Sequence, residues 1–248
     1  MNKLLQEIDE LKKKLDEIRP LLGGRVQEAL DIEYTYESNR IEGNTLTLRE
    51  TDLVINKGLT IGGKSMQEHL EAINHYEAIH YIRDLVKNKI QLTEKVIKEI
   101  HAIILRGIDR DNAGKYRNIP VAISGSKFTP PQPYIVPKLM EEYGFWLGSE
   151  ATALHPVMYA AEAHERLVSI HPFIDGNGRT SRLVMNLVLL QKGYLIANIP
   201  GDTESRLTYY SALEKCNLQN NKTDFLKLIA GIVLKNLREL LERIGNNP

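Results

Sequence analysis

Apolar residues recur at helical spacing along most of this chain. A stripe with 4-3-4-3 spacing near the N terminus predicts an amphipathic helix. It consists of Leu4, Ile8, Leu11, Leu15 and Ile18. Two heptads are short for a stable coiled coil, so the stripe is expected either to pack on the body of the chain or to pair two copies in a homodimer.

Further helices are predicted by periodicity and by capping signals. A second helix runs from about Arg25 until Gly43 stops it. The pairs Thr47–Glu50 and Ser65–Glu68 are capping boxes that open two more helices, and another begins after Thr93. The remaining helices are predicted at 137–149, 151–170, 179–192, 203–217 and 222–243.

One segment departs from the helical pattern. Residues 109–133 are rich in Gly, Asn and Pro and contain the run Val121-Ala122-Ile123-Ser124, which Gly125 follows. This composition predicts a β-hairpin or extended flap over a helical body. The expected fold class is therefore all-α with a small β-hairpin flap.

Composition narrows the classes of function. Lys+Arg and Asp+Glu both number 32, so no overall basic field indicates a nucleic-acid partner. The single cysteine, Cys216, excludes an intramolecular disulfide framework and a cysteine-based zinc site. No apolar run reaches membrane-spanning length and the N terminus is too charged for a signal peptide, so a soluble cytoplasmic protein without a membrane partner is expected.

The stretch from Gly58 to Ser65 formally satisfies the phosphate-binding pattern G-x-x-x-x-G-K-[ST]. That pattern requires a preceding strand inside an α/β fold. Here the preceding residues open with a capping box and are predicted to be helical. We therefore interpret the stretch as a helix–helix loop in which Ser65 is the N-cap.

The strongest chemical candidate is the stretch HPFIDGNGRTSR, residues 171–182. Pro172 disfavours a helical His171, and a nearly all-apolar helix is predicted after the Asp175–Gly178 turn. The turn thus delivers bare amides to a helix N terminus, which favours anions, and Gly176 and Gly178 allow close approach.

Three kinds of side chain complete this anion site. Arg179 and Arg182 lie three residues apart and can bind terminal phosphates. Asp175 is a hard oxygen ligand that suits Mg²⁺ together with substrate phosphates. His171 can take a proton from an incoming hydroxyl. Together these residues predict transfer of a nucleotide phosphate to an alcohol.

The same stretch resembles the signature of the Fic family, H-x-F-x-[DE]-G-N-G-R-x-x-R, at every specified position. The resemblance implies a helical protein that transfers AMP from ATP to a protein hydroxyl, with His171 as general base and Asp175 as the Mg²⁺ ligand. It implies a phosphate cradle of Gly176, Asn177 and Gly178, with Arg179 on phosphate and Arg182 at the γ-phosphate end. Outside the signature, the resemblance assigns two further sets of residues. The flap segment lining the nucleotide is Val121, Ala122, Ile123 and Ser124, and the adenine side is Tyr209 and Asn217.

An upstream stretch, Ser38 to Asn44, resembles the inhibitory motif [ST]-x-x-x-E-[GN] of this family. The Glu42 carboxylate is expected to pair with Arg182 and to occupy the place of the γ-phosphate. Ser38 lies one turn earlier and is expected to steady the helix or the carboxylate, and Gly43 completes the motif. Residues 1–45 are accordingly expected to hold the N-terminal and inhibitory helices, and residues 46–248 the catalytic core.

The expected function is a protein adenylyltransferase acting on a Ser, Thr or Tyr hydroxyl of a target protein docked at the flap. Mg²⁺ is the expected cofactor and ATP the co-substrate. Alternatives stay open: a de-AMPylase or bifunctional enzyme, the same fold with UMP, phosphocholine or phosphate as the transferred group, or a non-enzymatic interaction module. The intact Gly-Asn-Gly argues against phosphate transfer, and the intact His171 and arginines argue against the interaction module.

Overall fold

The computed structural model describes residues 1–21 and 23–245, and it folds this part of the chain into ten α-helices. They are α1 (Asn2–Ile18), α2 (Gly24–Ile41), α3 (Leu48–Lys57), α4 (Met66–Lys87), α5 (Glu94–Ile104), α6 (Val136–Gly148), α7 (Pro156–Ile170), α8 (Asn177–Gln191), α9 (Thr203–Gln219) and α10 (Thr223–Gly245). Short 3₁₀ turns occur at Arg19–Leu21, Pro133–Ile135 and Glu150–Ala153. None of the helices in these two ranges has the length and apolar character needed to cross a bilayer.

Helix α8 forms the centre of the fold. It packs against α7, α4 and α5, and it also contacts α2. Its apolar side chains are fully buried: Leu183, Val184, Met185, Leu187, Val188 and Leu189. The prediction of a central helix after the Gly-Asn-Gly turn is therefore confirmed, and the residues at its N terminus are attached to a helix that is buried in the core.

The N-terminal stripe packs within the chain. Helix α1 lies along α10, with Ile8 and Leu15 fully buried in the main hydrophobic cluster. Helix α2 packs on α3 and α4, and it contributes Tyr34 and Ile41 to the same cluster. Of the two expectations for the stripe, packing on the body is the one the structure shows.

Helix α7 begins later than predicted. The expected helix at 151–170 is divided into the 3₁₀ turn Glu150–Ala153 and α7, which starts at Pro156. Proline suits the first helical position because its missing N–H has no intrahelical partner there. His155 caps this start, since its Nδ1 accepts the Val157 N–H at 3.2 Å.

The Gly58–Ser65 stretch is a connection between helices, as interpreted from the sequence. Gly58 ends α3 in the left-handed conformation, and Ser65 caps α4 in a capping box with Glu68. Lys64 donates to the Thr45 carbonyl at 2.6 Å. The Lys64 ammonium group is therefore used in a hydrogen bond to the neighbouring backbone rather than directed at a phosphate site.

The predicted β-hairpin flap is wrong. Within residues 1–21 and 23–245 no strand forms, and residues 118–132 are an irregular loop with a turn at Ile123–Ser126. A hairpin needs two runs that exchange backbone hydrogen bonds, but prolines remove the amide donors on both sides of the turn. They are Pro120, Pro130 and Pro131. The β-branched residues alone therefore did not specify a strand.

Candidate functional site

His171 ends α7 in a constrained backbone conformation. It adopts φ 51° and ψ 58°, a left-handed geometry that is uncommon for a residue with a side chain. Its Nδ1 lies 3.2 Å from the Val168 carbonyl. Because a carbonyl only accepts, Nδ1 carries the proton and Nε2 keeps a free lone pair. Burial lowers the pKa of His171 below its usual value and outweighs the Val168 carbonyl, so the ring is neutral at pH 7.

Asn177 closes the signature loop. Its side-chain oxygen accepts the Phe173 N–H and its NH₂ donates to the Phe173 carbonyl, both at 2.9 Å. The amide side chain is thus fully used in holding the loop. What Asn177 offers to a ligand is its backbone N–H at the start of α8.

His101 on α5 supports the same loop and was missed by the sequence analysis. Its Nε2 bonds the Asp175 carbonyl and its Nδ1 accepts the Gly114 N–H, both at 2.9 Å. The ring stacks on Phe173 with centroids 3.6 Å apart. Burial lowers the pKa of His101 to about 4, so it stays neutral. A polar residue on the apolar face of α5, next to Ile97, Ile100 and Ile104, was the available signal.

The N terminus of α8 is suited to bind an anion. Gly176 is its N-cap, at φ 73°, and no side chain caps the first amides. Three buried guanidinium nitrogens also lack a hydrogen-bond partner among the described residues: Nε and Nη1 of Arg179 and Nη1 of Arg182. Unpaired donors in a buried position are unfavourable unless a ligand completes them. Amides, helix dipole and guanidinium groups all favour a phosphate here.

Arg179 forms an ion pair with Glu71 of α4, a second residue whose role the sequence did not predict. Its Nη1 lies 3.4 Å from Glu71, and its Nη2 lies 3.5 Å from Asp175. Glu71 also accepts from Asn44 at 2.9 Å and from Gln67 at 3.1 Å. This carboxylate links the catalytic helix to the segment that follows α2, and nothing in its local sequence indicates that role.

The upstream stretch Ser38–Asn44 contacts the signature directly. Arg182 is 1% exposed and donates from Nη2 to Glu42 Oε1 at 2.8 Å. It also donates to the Ser38 hydroxyl at 2.9 Å and to the Ser38 carbonyl at 2.8 Å. Burial alone would raise the pKa of Glu42, but Arg182 and Arg179 outweigh it and hold that pKa below its usual value. Glu42 is therefore an ionised carboxylate at neutral pH.

The Glu42 carboxylate lies on the first turn of α8. A Cβ placed on Gly178 would collide with Glu42 Oε1, so the missing side chain makes room for the carboxylate. Gly43, at φ 96°, turns the chain away directly after Glu42. The carboxylate thus lies against the amides and the guanidinium that would serve a phosphate.

Of the outer candidates, Tyr209 lies beside Arg182: burial raises the pKa of Tyr209, and the Arg182 charge opposes that rise. Tyr209 is buried and its hydroxyl lies 2.8 Å from His164 Nε2, while Asn217 donates within its own helix to Leu213 at 3.1 Å. Val121 and Ile123 are half-buried, and Ala122 and Ser124 are exposed. Across the described residues no hydrogen bond joins Val121–Ser124, Tyr209 or Asn217 to residues 171–182.

The chain is similar to known proteins over nearly its whole length. The Fic/DOC family model matches residues 91–189. A Drosophila grimshawi protein named Protein adenylyltransferase Fic is 38% identical over 245 residues, which cover 94% of this chain and 50% of that protein. The chain thus spans about half the length of the curated relatives it matches.

Solved structures share the fold. A glutamate-to-glycine variant of Fic-1 from C. elegans has 30% identity and a TM-score of 0.84, covering 97% of this chain and 72% of that one. A Fic-domain signalling protein from Bacteroides thetaiotaomicron has 29% identity and a TM-score of 0.84, covering 94% of both chains. The chain therefore belongs to the Fic/DOC family.

Proposed function

We propose that this protein transfers AMP from ATP to a Ser, Thr or Tyr hydroxyl of a target protein. The observation that carries the proposal is the uncapped N terminus of α8 with its unpaired buried guanidinium nitrogens, beside a neutral His171. The name of the Drosophila relatives, protein adenylyltransferase, supports the same reaction.

The residues divide the reaction between them. The α8 amides, including those of Gly176, Asn177 and Gly178, hold phosphate oxygens together with Arg179 and Arg182. His171 Nε2 takes the proton of the target hydroxyl as its oxygen bonds to the α-phosphorus. The bond between the α-phosphorus and the bridging oxygen breaks, and pyrophosphate leaves. Positioning and charge stabilisation are expected to supply most of the rate.

Asp175 fits a magnesium ion that is shared with phosphates. Its side chain is exposed, and its Oδ1 accepts the Gly176 N–H at 2.6 Å. Within the described ranges no three His, Cys, Asp or Glu side chains cluster around a common point. One carboxylate plus substrate phosphates is the usual arrangement for Mg²⁺, which when bound neutralises phosphate charge.

Glu42 is proposed to hold the enzyme inactive. Its carboxylate uses Arg182 and lies on the first turn of α8, so a γ-phosphate and Glu42 compete for one place. Ser38 supports Glu42 in this competition, because it accepts two hydrogen bonds from Arg182 and so holds the guanidinium beside the Glu42 carboxylate. ATP bound beside Glu42 would have its α-phosphate out of line for attack.

The peripheral assignments remain proposals. The target is proposed to dock at the flap around Val121–Ser124, and Tyr209 and Asn217 are proposed to lie on the adenine side of the nucleotide. We also propose a homodimer, a cytoplasmic location and a division of the chain at residue 45.

Removal of AMP from a modified target is a second candidate. It is favoured by the Glu42 carboxylate, of which only Oε1 is bonded to Arg182 and which is 31% exposed. The second oxygen can orient a water towards a phosphodiester. The same residue would then serve inhibition and reversal.

The donor can be identified with the Glu42→Gly variant. Intact-protein mass is measured after incubation with ATP, UTP or CDP-choline, each with Mg²⁺, using the chain itself and a denatured protein mixture as acceptors. We expect an AMP adduct with ATP alone and none in Glu42→Gly/His171→Ala. Adducts with UTP or CDP-choline but not with ATP would show that the protein transfers another group than AMP. Loss of AMP from a pre-modified acceptor would favour AMP removal as the main reaction.

A further inference from the structure

Arg117 occupies an unusual place between the flap and the signature loop. It lies in the connection between α5 and α6, and only 3% of its surface is exposed. Burial lowers the pKa of Arg117 below its usual value, and no carboxylate among the described residues opposes that shift. A buried cation without an anion is unfavourable, so its place in the fold calls for an explanation.

The guanidinium gathers three backbone carbonyls from separate segments. Its Nε donates to the His171 carbonyl at 2.7 Å, Nη1 to the Ile119 carbonyl at 3.2 Å and Nη2 to the Pro131 carbonyl at 2.5 Å. Its own backbone N–H donates to the Pro172 carbonyl at 3.0 Å. Ile119 and Pro131 stand at the two ends of the irregular flap. One side chain therefore joins both ends of the flap to the backbone of the proposed general base.

This connection matters because neither partner is held by regular structure. The flap has no strand pairing, and His171 has a left-handed backbone that must be stabilised by its surroundings. The planar fork of arginine sets directions that a lysine ammonium does not. A misplacement of about 1 Å between reacting groups can reduce a rate about a hundredfold.

We propose that Arg117 is a positioning residue: its guanidinium sets the distance between His171 and the flap on which the target lies. The proposal rests on the proposed transfer reaction. Arg117 acts through the three carbonyls that it binds.

The charge of Arg117 provides a second readout. Burial lowers the pKa of His171 first, and Arg117 lowers it further, whereas the Val168 carbonyl, Glu42 and Asp175 raise it. Removing the charge should therefore raise the pKa of His171, and a lysine should leave it near the parent value. A residue that acted on His171 only through its charge would lose rate in Arg117→Gln and keep it in Arg117→Lys, whereas a positioning residue loses rate in both variants.

The test compares Arg117→Gln and Arg117→Lys in the Glu42→Gly background, with Arg110→Gln as control because Arg110 is exposed in the same connection. We expect both Arg117 variants to lose at least about tenfold in kcat with KM for ATP within about twofold. NMR titration of the His171 ring should show a raised pKa only in Arg117→Gln. The control should match the parent in both respects.

The outcomes separate this proposal from the transfer reaction. If the parent transfers no AMP, the proposed reaction fails, and the His171 titration then tests the geometry alone: a parental pKa in Arg117→Gln would overturn the placement of the Arg117 charge beside His171. A folded Arg117→Gln variant with parental kcat and parental His171 pKa would overturn the proposal. Unfolding of both Arg117 variants would also overturn it, because the residue would then serve the stability of the whole core.

Discussion

Two glutamate–arginine pairs meet in the first two turns of α8, and they differ in what surrounds the carboxylate. Glu71 comes from α4, its side chain is 11% exposed, and it has Asn44 and Gln67 as further partners. Glu42 comes from the end of α2, is 31% exposed and approaches from the ligand side. The two carboxylates thus differ in burial and in the number of their partners, and the proposed function makes Glu71 a support and Glu42 the contact that a phosphate replaces.

We call Glu71–Arg179 the inner pair and Glu42–Arg182 the outer pair. Breaking the inner pair should have the largest effect on the free energy of unfolding. Glu71→Ala leaves the buried Arg179 without its counter-ion and leaves Asn44 and Gln67 without their acceptor. Loss of one partner of a buried pair costs about 3 kcal/mol or more. Chemical denaturation of wild type and Glu71→Ala measures this loss, and the isosteric Glu71→Gln should lose less. A Glu71→Ala variant as stable as wild type would remove the distinction between the pairs.

Removing the serine contact should have a smaller effect. Ser38→Ala deletes the hydroxyl that Arg182 binds at 2.9 Å but keeps the Ser38 carbonyl at 2.8 Å. A hydrogen bond to a charged group contributes about 1.5 kcal/mol. Denaturation should show a loss of that size, together with a small gain in AMP transfer as Arg182 becomes less firmly held. A gain equal to that of Glu42→Gly would mean that Ser38, rather than the carboxylate, is the inhibitor.

Breaking the outer pair should change stability less still. In Glu42→Gly, Arg182 keeps both Ser38 contacts and water can reach the vacated place. The expected loss is about 1 kcal/mol: Arg182 is buried, but it keeps two partners, and Glu42 itself is 31% exposed. Denaturation measures it against Glu28→Gln, which removes one carboxylate from the same helix outside the site. A loss as large as that of Glu71→Ala would show Glu42 to be a structural residue.

Acidity should not release the outer pair within the neutral range. Because the pKa of Glu42 is lowered in the fold, its contribution is complete above the usual carboxyl value of about 4.3 and is lost only as pH falls through the lowered pKa. The ratio of Glu42→Gly to wild-type transfer rates should therefore stay constant from about pH 8 to about pH 5. A ratio that approaches one at about pH 6 would contradict the ionised pair.

The sequence predicted what depends on nearby residues. The apolar run after Gly178 indicated a buried helix, and the adjacent glycines and arginines indicated its anion site. The Glu42–Arg182 contact joins positions 140 apart, and only the resemblance to a family indicated it. His101, Glu71 and Arg117 were missed because each acquires its role from partners that only the fold brings close. The flap was misjudged because strand propensity was read without the partner strand that a sheet requires.

Transfer of AMP by wild type, Glu42→Gly and Glu42→Gly/His171→Ala tests the central claim most directly, since it asks whether Glu42 holds back a reaction that His171 performs. Intact-protein mass is followed over time with Mg·ATP and a protein mixture as acceptor. We predict at least about tenfold faster AMP incorporation in Glu42→Gly than in wild type, corresponding to about 1.4 kcal/mol or more, and none in the double variant. Equal rates in wild type and Glu42→Gly, or undiminished transfer without His171, would contradict the account.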